Sequence, residues 1–483
     1  MGPGPIGREF ECADFSQRNR GKLPVRILQV IHAFPPYSEA GSENYTYALS
    51  QALRRLGHEV AVFHRVADPT QAEYTLTEGE LDSLPVYRLN NTFRFCDRFE
   101  KTYRNVDIDA RFGDILDRFA PHVVHFHHLT GLSTACVFEA ERRGLPVVMT
   151  LHDYWLICQR GQFLQRDITL CEGQEDAECV RCWAHQLSIA GGGVTAAAID
   201  RKIMPSPPYF QSGFVAMLRR LRSRWYHSFF RRQESALAEV RARMDHVRAV
   251  CQAVNLFLSP SHFLRKKFLD FGIPSDKILF SPNGYETSAF SARARAVSDC
   301  HSPVRFAYIG TIIPPKGVHI LIQAFRAVPA TTAQLTLYGG EVPYEGFPGY
   351  GQALCELAAG CSHISFAGSY RPAKVGHILR EVDVLVVPSI WYENAPLTIQ
   401  EAFLAKIPVI ATNLGGMAEI IRDQVNGLLF RPRDVQDLRE KILLLLRQPE
   451  LIPLFGNAHP PVKTIVADAA DMVERYEELQ RRH

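Results

Sequence analysis

The chain has 483 residues, a hydrophobic fraction of 46%, a charged fraction of 22% and a formal net charge of +3. That length exceeds what one hydrophobic core usually organises, so two domains of ordinary size are expected, and the charge is too small to point to nucleic acid as a partner. No run of about 18 apolar residues is present to span a membrane, residues 1–24 read as a polar tail without an apolar signal core, and the default expectation is a cytoplasmic protein whose 11 Cys are thiols or metal ligands before they are disulfides.

Residues 25–31, VRILQVI, form an apolar run of the kind that lies buried on both faces of a parallel sheet. A turn-rich loop at 35–41 leads into a helical pattern at 42–56, and 60–64 is the next strand. The loop can face a phosphate, because Gly41 lets the backbone approach a ligand and a helix N-terminus follows at once. A plain tight turn is the alternative, and there is no G-x-G-x-x-G. Asp107 and Asp109 have the Asp-x-Asp shape that binds divalent metals elsewhere; they follow no apolar strand and precede a helical pattern, so they are read as a helix N-cap. Residues 123–126 are a strand with His125, His127 and His128 at its carboxyl end, expected to pack or to meet an acceptor rather than to hold a metal. Residues 146–151, PVVMTL, are another buried strand, and His152 and Asp153 stand just past its end, at the ligand-facing edge of an open sheet.

From about 154 to 250 the strand–helix alternation is lost. Cys158, Cys171, Cys179 and Cys182 fall as C-x12-C-x7-C-x2-C, and the closing Cys-x-x-Cys is the spacing of half a tetrahedral zinc site. A structural zinc that staples a long loop is one reading, with His185 able to replace one Cys; four unpaired thiols are the other. Residues 213–232 interleave Phe214, Met217, Leu218, Leu221, Trp225 and Phe229 with many basic positions. Such a helix either lies peripherally on an anionic membrane surface or packs on its own domain with a solvated basic face.

The strand pattern returns at 254–258 and 278–281, and the first domain closes near residue 290. Residues 291–302 read as a linker, 303–460 as a second domain and 461–483 as a final helical segment. The second domain opens with VRFAYIGTIIPPKGVHILIQAF: a strand, a turn at Gly310, Lys316 as a point charge for phosphate oxygens, then a helix. Its most informative stretch is 382–412, VDVLVVPSIWYENAPLTIQEAFLAKIPVIAT. A buried strand ends at Pro388, a loop follows, Pro396 opens a helix and a second apolar strand comes after it, so the loop sits where open α/β sheets bind ligands. Glu393 ends that loop and Glu401 lies about two helical turns on; by spacing alone they would be two surface charges.

With a Pro-terminated strand before and an apolar strand after, this pair resembles the Glu-x7-Glu signature of retaining glycosyltransferases of family 4, the group 1 glycosyl transferases. The segment PPYSEAGSE before a helix ending in LRRLGHEV, and Thr150-Leu151-His152-Asp153, are similar to other motifs of that family. The resemblance implies a GT-B fold: two Rossmann-like, doubly wound parallel-sheet domains facing a cleft, with the last helix crossing back to the first domain. It implies that Glu393 contacts a donor sugar, Glu401 a nucleotide ribose, His152 the sugar near its reacting carbon and Lys316 a diphosphate. Gly41, Gly310, Thr311, Asn394, Ala395 and Leu397 would line the donor site, with base contacts near Ser369 and Arg371. The chain departs from the family at Thr311, where an Arg is usual, so half of a basic pair is missing; either another cation, with Arg371 the candidate, supplies it or turnover is slow.

The implied activity is retaining, hexosyl-type transfer from a nucleoside diphosphate sugar to a glycan, lipid-linked or small-molecule acceptor, of the kind used in polysaccharide biosynthesis. The leaving phosphate would assist front-face attack, and no metal or other cofactor would be needed at the chemistry. A catalytically weak nucleotide-sugar-binding protein is the rival class, and a same-fold epimerase or phosphorylase the rival chemistry. Location is expected to be cytoplasmic, with peripheral contact at the inner face of the membrane under the amphipathic reading of 213–232.

Overall fold

Short apolar runs become the strands of two sheets in the computed structural model, which describes residues 24–173, 175–183, 234–290 and 303–482. The polar tail, His185, the basic segment around Trp225 and the linker at 291–302 lie outside the described residues. The first sheet comprises β1 (Arg26–Ile31), β2 (Glu59–Val66), β3 (Leu76–Leu81), β4 (Leu84–Asn90), β5 (Val123–Phe126), β6 (Val147–Thr150), β7 (Leu256–Ser259) and β8 (Ile278–Phe280), in the order β3-β4-β2-β1-β5-β6-β7-β8. Only the β3–β4 pair is antiparallel. The second comprises β9 (Val304–Ile309), β10 (Ala333–Tyr338), β11 (Ile364–Gly368), β12 (Val384–Val387), β13 (Val409–Thr412) and β14 (Gly427–Phe430), all parallel, in the order β11-β10-β9-β12-β13-β14.

Side-chain alternation explains why these strands read as unbroken apolar runs. Ile27 and Ile31 enter the core on one face of the first sheet, Leu28 and Val30 the core on the other. In β12, Val384 and Val386 face one core and Leu385 and Val387 the other. Each sheet is thus covered on both faces, as parallel sheets require. Strand order reverses around β1, which lies between β2 and β5, and around β9, which lies between β10 and β12. Connections that leave to opposite faces open a crevice at the carboxyl ends of such strands. The loops after β1, β5, β9 and β12 are therefore the ones placed to meet a ligand.

Five helices matter below: α1 (Gly41–Arg55), α2 (Asp176–Cys182), α3 (Glu234–Ala253), α4 (Leu397–Leu404) and α5 (Ile465–Arg482). Helix α5 follows the second domain in sequence but packs on α1 of the first. The buried Asp468 carboxylate accepts hydrogen bonds from Tyr45 Oη and Gly284 N, each at 2.8 Å, and from Lys463 Nζ at 2.7 Å. One residue thereby ties α1, the end of the first domain and α5 together.

One local expectation is corrected. The helix Val106–Phe119 is capped by Asn105, whose side chain accepts from Asp107 N at 3.0 Å. Asp107 and Asp109 lie inside the first turn, and Asn outcompetes them as cap because it is the residue with extended backbone before the first turn. Among the described residues no helix is long and apolar enough to cross a membrane.

Candidate active site

The loops after β9 and β12 are locked together through their backbones. Gly317 has φ +69°, and a Cβ there would stand 1.9 Å from Pro388 O; Ile390 N donates to Pro315 O at 2.8 Å. Only glycine admits this approach. It places Lys316 beside Glu393: Nζ lies 2.7 Å from Oε1. The same oxygen accepts from Ser389 Oγ at 2.7 Å and from Trp391 Nε1 at 2.8 Å, and Lys316 Nζ stands 5.5 Å from the centre of the Trp391 ring. Three donors on one carboxylate oxygen orient the group firmly. Behind the loop, Gly416 N donates to Glu393 O at 2.7 Å, and a Cβ on Gly416 would lie 1.7 Å from Asn394 O.

Pro396 precedes α4 as its N-cap, Leu397 is the first helical residue, and Ala395 sits half-buried between Asn394 and Pro396. Farther along α4, Glu401 is half-buried, and burial pushes its carboxyl from 4.5 up to about 7. Its electrostatic neighbours include Tyr285, whose buried hydroxyl has no partner among the described residues, and Tyr370, pushed up to about 12 by burial and by Glu401. Ser369 and Arg371 flank Tyr370 and are exposed in the turn after β11. Gly310 ends β9 with its N–H on Tyr338 O. Thr311 is exposed, and its carbonyl accepts from Tyr308 Oη at 2.7 Å.

The first domain presents its own strand ends to these loops. Asn394 Nδ2 donates to His152 O at 2.6 Å across the domains, while the buried Asn394 Oδ1 has no partner among the described residues. The N-terminus of α1 meets that of α4: a Cβ on Gly41 would lie 3.1 Å from Leu397 Cδ1. His152 Nε2 is 3.0 Å from His127 Nδ1, and His127 Nε2 is 2.6 Å from Gln29 Oε1. Burial, then the nearby His128 charge, lowers His152 to about 3, and burial drives His127 well down, so both rings are neutral near pH 7. His125 is held by Tyr476 Oη at 2.6 Å and Thr150 Oγ1 at 2.8 Å, a packing role against α5.

His128 behaves differently. Burial opposes its charge, yet the charge and hydrogen bond of Asp153, 3.0 Å away, and the charge of Glu43 carry it above the usual range. Glu43 in turn accepts from Ser38 and Ser42 and lies 3.5 Å from His32. An open pocket of about 300 Å³ lies here, lined by His127, His128, His152, Asp153 and Trp155 among others. Sequence reasoning gave no role to Ser389, Trp391 and Glu43; the usable signal was that Ser389 and Trp391 share the short loop with Glu393.

Cys158, Cys171, Cys179 and Cys182 are each partly buried and packed against the core of the first domain. Burial pushes Cys179 up to about 12 and Cys182 up to about 11, and each has the other three cysteines or some of them as electrostatic neighbours. Yet among the described residues no group of three or more His, Cys, Asp and Glu side chains is placed to hold a metal ion. The expected tetrahedral zinc centre is therefore not a formed cluster in this structure, and Cys171 Sγ donates to Gly173 O at 2.9 Å.

Residues 40–174 match the model of the glycosyl transferase 4-like domain and residues 303–448 that of glycosyl transferases group 1. The chain is 26% identical over 235 residues to an amylovoran biosynthesis glycosyltransferase of Erwinia amylovora, covering 46% of this chain and 55% of that one. It is 26% identical over 274 residues to a D-inositol 3-phosphate glycosyltransferase of Nocardia farcinica, covering 51% and 59%. It thus spans about half the length of these relatives. In fold it is similar to sucrose-phosphate synthase from Thermosynechococcus elongatus, with a TM-score of 0.64 at 16% identity over 95% of this chain and 100% of that one. The same holds for Anabaena HepE in complex with UDP and glucose, with a TM-score of 0.60 at 14% identity over 94% and 99%. Two family models that together span more than half of the chain, and a fold shared with GT-B proteins end to end, place it: the chain belongs to the group 1 glycosyltransferases of family 4.

Proposed function

We propose that the protein transfers a sugar, with retention, from a nucleoside diphosphate sugar to a glycan or lipid-linked acceptor. The observation that carries this reading is the carboxylate of Glu393, held on one oxygen by Lys316, Ser389 and Trp391 at the crevice between β9 and β12 and joined through its neighbour Asn394 to His152 of the other domain.

The chemistry follows from where charge must go. A leaving diphosphate accumulates negative charge as the glycosidic carbon–oxygen bond breaks, and Lys316 with the N–H groups at the start of α4 supplies positive potential there. Glu393 accepts from sugar hydroxyls, Glu401 from the ribose, and the neutral His152 can donate or accept at the sugar without adding charge beside the reacting carbon. The acceptor hydroxyl enters from the pocket beside His128 and Asp153, attacks the face from which the diphosphate departs, and passes its proton to the leaving phosphate oxygen. The relatives' names support a nucleotide-sugar reaction: HepE was solved with UDP and glucose, and starch synthase IV of Arabidopsis thaliana with ADP and acarbose.

A thermal-shift panel of nucleoside diphosphates and their sugars tests the reading. A true donor at about 100 times its dissociation constant adds about 2.7 kcal/mol of stability, and that ligand should then be turned over slowly without acceptor. Stabilisation without any turnover would point to a binding protein, the reading that Thr311 favours.

A further inference from the structure

Three neighbouring strands of the first sheet, β1, β5 and β6, each contribute one side chain to a row of hydrogen bonds that ends at the pocket. Gln29 lies within β1, His127 directly follows β5, and His152 stands two residues past β6. Gln29 is fully buried and His127 nearly so, whereas His152 is half-buried and lines the pocket.

The bonds in this row have a direction. Both nitrogens of His127 are engaged, Nε2 with Gln29 Oε1 at 2.6 Å and Nδ1 with His152 Nε2 at 3.0 Å. A carbonyl oxygen only accepts, so His127 carries its proton on Nε2. Burial keeps the ring neutral, which leaves a bare lone pair at its Nδ1. His152 must therefore donate to that lone pair from Nε2. Since burial keeps His152 neutral as well, its own Nδ1 carries no proton. That nitrogen makes no hydrogen bond among the described residues.

The amide of Gln29 sets the direction. Turned over, it would offer hydrogens to His127, every proton in the row would move to the other ring nitrogen, and His152 would face the pocket as a donor. Tyr476 of α5 adjoins the amide: burial raises its phenol, and Gln29 opposes that rise, as an N–H facing the oxygen does and a carbonyl does not. Gln29 Nε2 is itself buried and completes no hydrogen bond.

Resting on the donor-site reading above, we propose that Gln29 and His127 are positioning residues that hold His152 as its Nε2–H tautomer, so that His152 meets the donor sugar through Nδ1 as a hydrogen-bond acceptor only. A sugar hydroxyl satisfies that nitrogen. A deoxy position, an O-methyl group or a carboxylate there does not, and a carboxylate would set its own lone pairs against it. The substrate class narrows to nucleoside diphosphate sugars with a free hydroxyl facing the first domain. The row orients His152 and passes no proton during the reaction.

Nitrogen NMR of the full chain without ligand, labelled at the histidine rings and assigned with His127→Gln and His152→Gln, tests the tautomers directly. Both rings should show the neutral Nε2–H pattern near pH 7. His152 found as the Nδ1–H form, as a mixture or as the doubly protonated ring would overturn the proposal. Gln29→Met keeps the side-chain length and removes both amide groups. His152 should then populate both tautomers, and kcat/KM should fall about fivefold to tenfold while affinity for the bare nucleoside diphosphate is unchanged. Tautomers or kcat/KM unaltered by Gln29→Met would each overturn it, and if that variant fails to fold, the spectrum of the unmodified chain still decides. Monodeoxy analogues of the sugar nucleotide that stabilises the chain read the sugar contact. One of the series should lose about fivefold to tenfold in kcat/KM with the unmodified chain, and that discrimination should shrink to within about twofold in Gln29→Met. Discrimination that survives undiminished would place the hydroxyl elsewhere and contradict the proposal. If no sugar nucleotide binds or reacts, the donor-site reading falls and takes the sugar contact with it, while the ring-nitrogen spectrum separately upholds or refutes the hold of Gln29 on His152.

Discussion

Lys316 Nζ lies 2.7 Å from Glu393 Oε1, so a cation from the loop after β9 and a carboxylate from the loop after β12 are held against each other at the crevice. In the proposed reaction a diphosphate would compete with Glu393 for that ammonium. The pairing depends on Gly317, whose missing Cβ lets the first loop touch Pro388 O.

Lys316→Ala should weaken a nucleoside diphosphate by about 1.5 to 3 kcal/mol, the size of a hydrogen bond to a charged group, and a nucleoside monophosphate much less. Thr311→Arg, at an exposed position, should tighten the diphosphate by about 0.5 to 1 kcal/mol. Calorimetry with both nucleotides checks this; equal losses for the two on Lys316→Ala would mean that its charge is not aimed at the distal phosphate.

Glu401 gives a pH signature. Its pKa is raised from 4.5 to about 7 by burial, so in that interval the folded chain holds a proton that the unfolded chain has released. Stability therefore falls as pH rises through the interval, and Glu401→Gln should flatten that slope in urea titrations. In the proposed donor site ribose hydroxyls would donate to the ionised form, so nucleoside diphosphate affinity should rise with pH across the same interval. Affinity that is flat with pH, or a slope that persists in Glu401→Gln, would remove Glu401 from the ribose site.

Much of this was legible in the sequence, and the reasons are local. Parallel strands buried on both faces must be apolar throughout, which is why 25–31, 123–126 and 384–387 stand out, and Pro388 and Gly317 mark where such strands give way to ligand-facing loops. Lys316 and Glu393 each lie in a short loop directly after a strand, and the resemblance to the family's Glu-x7-Glu signature is what singles out Glu393 there. What could not be read were contacts between distant segments. His128 meets Asp153 because β5 and β6 are neighbours, and Asn394 meets His152 because the domains face each other. No period or spacing encodes those meetings. Asp107 misled because an acidic pair near a helix start looks the same whether it caps the helix or fills its first turn.

Asn394 tests the cross-domain contact. Its Nδ2 donates to His152 O at 2.6 Å, and a neutral hydrogen bond contributes about 1 kcal/mol. Asn394→Ala should therefore lower kcat/KM by roughly fivefold while leaving nucleoside diphosphate affinity nearly unchanged. A variant that binds nucleotide much more weakly would show instead that Asn394 acts on the donor directly.

Asp468 tests how α5 secures the first domain. Asp468→Asn removes a buried charge that answers Lys463 and leaves the bonds from Tyr45 and Gly284 weakened, so stability should fall by about 3 kcal/mol. Urea unfolding measures it, and a change under about 0.5 kcal/mol, the range of ordinary surface substitutions, would show that α5 is held by packing alone.

In the proposed reaction Glu393 acts on the donor sugar and not on the nucleotide. Glu393→Gln keeps the shape of the side chain and removes its charge. Turnover of a nucleoside diphosphate sugar identified by thermal shift, followed beside calorimetry with the bare nucleoside diphosphate, measures both halves at once. Glu393→Gln should lose about a hundredfold or more in kcat, with diphosphate affinity held within about twofold of the unsubstituted chain. Full activity in Glu393→Gln, or a loss confined to diphosphate binding, would contradict it.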